Sequence, residues 1–159
     1  MADRHTSRGS TRGFTLTELV VILVIIGALA AFAVPRLNIG GFDDYTFRNE
    51  VVNALRFAQK TATASRCEVQ VVVEADRLEV RQRGGGTSLE CGDGDFDDVM
   101  RHPSRGGGFV VEARRDAAIT SGTGTVVFDP RGAADNGLTL TFASGRTVVV
   151  EVGTGYVDA

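Results

Sequence analysis

After a polar start the chain turns apolar. From Leu19 to Val34, sixteen consecutive residues carry no charge and no strongly polar side chain. Counting back to Phe14 gives twenty-one residues, with Glu18 the one charge among them. As a helix at ~1.5 Å per residue this run is about 31 Å long, the thickness of a bilayer's hydrocarbon core. It is long for the core of a secretory signal peptide and continues past the small-x-small site at Ala28-Leu29-Ala30. Arg4, Arg8 and Arg12 precede the run and Arg36 follows it, which places the leader in the cytoplasm and everything after Pro35 outside.

Beyond Pro35 the pattern changes period. Phe47, Val51, Leu55, Ala58 and Ala62 recur at steps of four and three, with Arg48, Asn49, Arg56, Gln59 and Lys60 on other faces. This predicts an amphipathic helix over 43–64 with its apolar stripe on a core. Pro35 and the Asn38-Ile39-Gly40-Gly41 stretch predict a kink or short break over 35–41. Alternation then predicts strands at 68–74 and 77–83, joined by a turn at Ala75-Asp76. Further strands are expected at 109–114, 125–129, 137–143 and 146–152, the last two joined by Ala143-Ser144-Gly145. A long helix followed by an antiparallel sheet region is an α+β arrangement. The expected divisions are a leader at 1–13, a membrane-spanning helix at 14–35, an amphipathic helix half at 36–64 and a globular β-rich domain at 65–159.

Charge sharpens this picture. The net charge is −3, but residues 1–13 are net +2, so the rest carries −5. An acidic body lacks the basic footprint that non-specific nucleic-acid binding needs. Cys67 and Cys91 both follow the apolar run and therefore share one side of a membrane. An oxidising compartment makes them a natural disulfide pair, and two buried free thiols are the alternative.

A carboxylate inside a membrane costs about 2.5 to 3.5 kcal/mol at the helix centre, less near an end, and usually has a partner. A signal peptide or plain anchor gives Glu18 none. Gly13-Phe14-Thr15-Leu16-Thr17-Glu18, after a short charged leader and before a long apolar run, resembles the prepilin processing signal of type IV pilins and type II secretion pseudopilins. The resemblance implies that a prepilin peptidase cuts after Gly13 and N-methylates Phe14. It also implies that Glu18 meets the terminal ammonium of a neighbouring subunit, and that Pro35 is the helix-kinking proline of that family. The expected location is the bacterial inner membrane, single-pass with a periplasmic domain, and then a filament. Expected partners are other pilin subunits, the peptidase and, before assembly, membrane lipid.

Residues 125–157 resemble the C-terminal region of GspH/FimT-type minor pilins, with a Phe128-Asp129-Pro130-Arg131-Gly132 turn, a hairpin and a terminal glycine motif. That resemblance implies a structural subunit of a type II secretion pseudopilus or a type IV pilus, near its tip or start. The rival is a FimT-like pilus-tip DNA receptor. Those receptors often end in a Gly-Arg basic motif, whereas here Gly155-Tyr156-Val157-Asp158 has lost the arginine and gained an acid, so nucleic acid is not an expected partner. Arg77, Arg81 and Arg83 share one strand face by period two and read as a solvated face balanced by Glu79.

Catalytic patterns are nearly absent, and no enzyme activity is expected. His5 lies in the leader, and His102 is alone beside Pro103 and reads as exposed. No nucleophile elbow, metal-binding His pair or phosphate loop occurs. Asp93, Asp95 and Asp97, with Asp98, are weak calcium candidates. Their spacing opens like an EF-hand loop but lacks its glycine and its closing glutamate, so a solvated acidic loop without cofactor is the expectation.

Overall fold

The computed structural model describes residues 15–33, 39–86 and 90–159, with side chains outside 31–41. Two units result. The first holds helix α1 (Leu16–Ala33), eighteen residues and about 27 Å long. Among the described residues no helix is long and apolar enough to cross a membrane. Phe14 and Val34, which complete the expected span, and Pro35 lie outside them.

The second unit runs from Ile39 to Ala159. It begins with α2 (Ile39–Ser65), which starts four residues before the expected 43 and includes Gly40 and Gly41. Two glycines cost a helix about 1 kcal/mol each relative to alanine, which the rest of this long helix tolerates. The helix stops where Arg66 turns left-handed, at φ 60°. This is the place glycine usually takes after a helix end.

The strands are β1 (Val69–Val73), β2 (Arg77–Gln82), β3 (Asp98–Val99), β4 (Val110–Glu112), β5 (Ile119–Ser121), β6 (Gly124–Phe128), β7 (Leu138–Phe142), β8 (Thr147–Val150) and β9 (Val157–Asp158). All six expected strands form; five are trimmed at one or both ends, and β6 is shifted one residue earlier than expected; β3, β5 and β9 are additional. They make two antiparallel sheets rather than one. The first is ordered β3-β2-β1-β6, with β4 also on β2; the second is β5-β7-β8-β9. The β1–β2 hairpin closes at the expected Ala75-Asp76 turn, with the Glu74 amide donating to the Arg77 carbonyl at 2.8 Å. The tip links the sheets through the Ala75 carbonyl, which accepts from Ile119 N at 2.7 Å, while the Asp76 carbonyl accepts from Ala113 N at 2.7 Å and extends the β2–β4 pairing. The β7–β8 turn closes with Gly145 N donating to the Phe142 carbonyl at 2.8 Å and with Gly145 at φ 79°. A left-handed glycine after a tight turn matches the right-handed twist of the flanking strands.

One core joins helix and sheets. Phe47, Val51, Leu55, Ala58 and Ala62, the stripe read from the sequence, are all buried, together with Val52 and Ala54. Against them pack Val69, Val71 and Val73 of β1, Leu78 and Val80 of β2, Val126 and Phe128 of β6, and Leu138, Leu140 and Phe142 of β7. Register puts like with like: Val71 faces Val80 on one side and Val126 on the other. Phe47 meets Phe142 edge-on at 5.9 Å, an arrangement that aromatic quadrupoles favour.

The exposed helix and the C-terminal clasp as candidate functional sites

The described side chains of helix α1 are exposed. Its ten large apolar side chains, from Leu16 to Leu29, are between 42% and 81% exposed, on every side of the helix. A helix apolar all round requires cover from elsewhere, either lipid or other helices. Its first turn is built by Thr15. The Thr15 hydroxyl accepts from Glu18 N at 3.3 Å, and its carbonyl accepts from Glu18 N at 3.1 Å and Leu19 N at 3.2 Å. Thr15-Leu16-Thr17-Glu18 is therefore an N-terminal cap with glutamate at the third helical position. Thr-x-x-Glu before an apolar run is the sequence mark of this cap. Gly13 and Phe14 lie outside the described residues.

At the other end of the chain two glycine motifs interlock under α2. Asp129 ties the 128–132 turn: its Oδ1 accepts from Arg131 N at 2.8 Å and Ala133 N at 2.9 Å. The Ala133 amide is the largest cause holding the Asp129 carboxyl below its ordinary value; desolvation opposes it, and the Arg131 amide and guanidinium add to it. Gln59 on α2 donates through Nε2 to the Gly132 carbonyl at 3.0 Å and to the Thr154 carbonyl at 3.2 Å. Three residues earlier, Arg56 donates to the Val157 carbonyl at 3.1 Å. Gly155 is buried at φ 65°, and a Cβ there would overlap the Gly132 carbonyl oxygen. The terminal glycine motif is thus a clasp on the chain's own turn. Gln59, which the spacing places off the apolar stripe, is its centre.

The charged candidates are mostly spoken for. Glu79 does not lie on a solvated face. It is 8% exposed, flanked by Arg77 and by Arg81, whose Nε reaches Glu79 Oε2 at 2.8 Å. Arg83 binds Glu68 at 2.6 Å through Nη2 and covers the Phe96 ring at 4.3 Å. Arg77, Arg81 and Arg83 are each engaged with a carboxylate, which leaves little free charge for phosphate. Asp93, Asp95 and Asp97 are exposed, and among the described residues no three metal-ligating side chains gather at one point. His102 is half-buried rather than exposed. Its Nδ1 accepts from Ser104 N at 3.1 Å and Arg105 N at 3.0 Å, and its ring lies 4.5 Å from that of Phe109. Cys67, just past α2, is joined by a disulfide to Cys91, with Cα atoms 5.3 Å apart.

Comparison with known proteins covers both regions. The profile of the type II transport protein GspH family matches residues 48–155, more than half of the chain. That of the prokaryotic N-terminal methylation motif matches residues 8–34. A fimbrial protein of Pseudomonas aeruginosa is 41% identical over 54 residues, 34% of this chain and 32% of that protein. The type IV major fimbrial protein FimA of Dichelobacter nodosus is 45% identical over 47 residues, 30% of this chain and 26% of its own. The type IV major pilin protein PilE1 of Neisseria gonorrhoeae is 40% identical over 53 residues, 33% of this chain and 29% of its own. The chain thus spans about a third or less of the length of these relatives. No solved structure matches. With the GspH profile over its folded domain and the methylation motif over its exposed helix, the chain belongs to the GspH family of type II transport proteins and is a pilin-like structural subunit.

Proposed function

We propose that this chain is a minor pilin or pseudopilin that acts at the tip or start of a type II secretion pseudopilus or a type IV pilus. It is made as an inner-membrane precursor with its folded domain in the periplasm, cut after Gly13 by prepilin peptidase and N-methylated on Phe14. The observation that carries this reading is α1, whose large apolar side chains from Leu16 to Leu29 are exposed. Lipid covers them before assembly, and the helices of neighbouring subunits cover them afterwards. Glu18 pairs with the Phe14 ammonium of a neighbour and helps set axial register. The exchange from lipid to protein keeps every apolar face dry, so the charge pair rather than the apolar area decides how far the helix is drawn.

The mass of the mature protein tests processing: an N-methylated Phe14 terminus supports the reading, while a start at Ala31 means an ordinary signal peptide. Glu18→Ala should be cut and methylated normally yet fail to enter filaments. Normal incorporation of that variant would remove the role given to Glu18.

A further inference from the structure

Two large aromatic side chains stand out from the first turns of α2. Phe42 is 70% exposed and Tyr45 is 50% exposed. At a spacing of three they lie on one helix face. The acids beside them turn inward. Asp43 pairs with Arg115 at 3.0 Å. Asp44 is buried and accepts from Ser144 N at 3.3 Å, which docks the β7–β8 hairpin tip on the helix. That tip brings Arg146, itself exposed, over the Tyr45 ring at 5.9 Å. What faces outward here is two rings and the guanidinium groups of Arg146 and of Arg115, the latter paired with Asp43, while Asp44 is buried.

This is also the part of the folded domain that follows the apolar run most closely in sequence, since Phe42 comes eight residues after Val34. Tyrosine, with an apolar body and a polar tip, concentrates at the level of lipid headgroups, phenylalanine beside it buries into the boundary beneath them, and arginine reaches lipid phosphate. We propose that Phe42, Tyr45 and Arg146 form a footing that rests in the headgroup layer while the subunit awaits assembly. The footing rests on the reading of α1 as a membrane anchor. It holds the domain against the bilayer, so entry into a filament requires lifting these rings from lipid as well as withdrawing α1.

The chain contains no tryptophan, so one introduced indole reports alone. The test uses the whole chain in vesicles of phosphatidylethanolamine and phosphatidylglycerol, with lipids brominated either high or low on their acyl chains. Phe42→Trp should emit at shorter wavelength than a water-exposed indole. It should be quenched mainly by lipids brominated high on the chain, and adding Arg146→Glu should reduce that quenching. Tyr156→Trp should stay unquenched. Its neighbour Val157 is bound by Arg56, fourteen residues and about 21 Å along α2 from Phe42. Water-like emission from Phe42→Trp would overturn the footing. So would blue-shifted emission that no lipid quenches, because another protein chain would then cover the site. Val24→Trp separates the two readings. If it is quenched from the bilayer while Phe42→Trp is not, the footing alone fails. If it too is unquenched, the anchor fails and the footing with it.

Discussion

Replacing Gly155 with alanine should unlock the C-terminal clasp, and the structure supplies both the magnitude and its control. Gly155 sits at φ 65°, where a Cβ costs roughly 1 to 2 kcal/mol. The added methyl would overlap the Gly132 carbonyl oxygen and come within 2.9 Å of Gln59 Nε2. The 128–132 turn must therefore move away, and it cannot keep both Gln59 hydrogen bonds as it does. Each such bond contributes about 1 kcal/mol net, so strain and lost bonds together come to roughly 3 to 4 kcal/mol. For a domain of this size that lowers the melting temperature by roughly 10 to 15 °C.

Gly145→Ala isolates the backbone part of that figure. Gly145 is equally left-handed, at φ 79°, but a Cβ there meets nothing within 4 Å. It should lose only the strain, about 1 to 2 kcal/mol. Gln59→Ala isolates the other part, at about 2 kcal/mol for two bonds. Thermal melts of the four single and double variants complete the comparison. Gly155→Ala and Gln59→Ala together should cost less than the sum of their separate effects, because both remove the same bonds. A Gly155→Ala melt no lower than that of Gly145→Ala would refute the clasp, and so would full additivity with Gln59→Ala.

Three further outcomes follow from single features. Cys67→Ser should lower stability by about 3 kcal/mol, the chain-entropy value for a loop of this size, and reductant should lower the wild-type urea midpoint while leaving that of the variant unchanged. Arg66→Gly should raise stability by about 1 kcal/mol in the same urea titration, because it removes a side chain from a left-handed helix end; a loss would mean the arginine side chain contributes more than its strain costs. Asp129 is held below its ordinary value of 3.8 in the fold, so its contribution is whole above that pH and is lost as pH falls through the lower, folded value. A melt series taken down to about pH 2 should therefore show a shallower acid-side decline for Asp129→Asn than for wild type, and identical slopes would refute it.

What the sequence made legible follows the size and regularity of each signal. The α2 stripe could be read because five apolar residues at helical spacing leave few other solutions. β7 could be read because leucine and phenylalanine alternate with threonine along it, and β1 and β8 because they are short runs rich in valine, a β-branched residue that favours strands. β3 and β9, two residues each, have no period of their own; they are strands because β2 and β8 offer them an edge. The division into two sheets is likewise a matter of pairing, which alternation does not encode. Gly40 and Gly41 misled the helix start, since a local propensity cost was outweighed by the long helix behind it. Gln59 and His102 were missed for one reason. Each is a polar residue whose partners are backbone groups, and backbone groups leave no mark on the pattern of side chains. Glu79 shows the reverse error: its pairing with arginines was visible, but its burial depended on how closely Arg77 and Arg81 fold over it.

Glu18 is where local structure and assembly must be weighed against each other. The first turn of α1 uses Thr15 to receive the Glu18 amide, so the cap draws on the backbone of residue 18 and not on its carboxylate. Among the described residues that carboxylate makes no hydrogen bond. What the helix itself offers it is the field of its amino end, about 0.3 to 1 kcal/mol. Placing the charge in a bilayer costs about 2.5 to 3.5 kcal/mol at the centre and less near the end of a helix. The dipole term offsets only part of a cost in that range. A glutamine would fit the same turn and carry no such cost. The described part of this chain therefore does not explain the choice of an anion, and the proposed pairing with a neighbouring subunit would account for it. Under the proposed processing, an amino terminus freed by cleavage after Gly13 would have the right charge, and it would come into being only once residues 1–13 are removed.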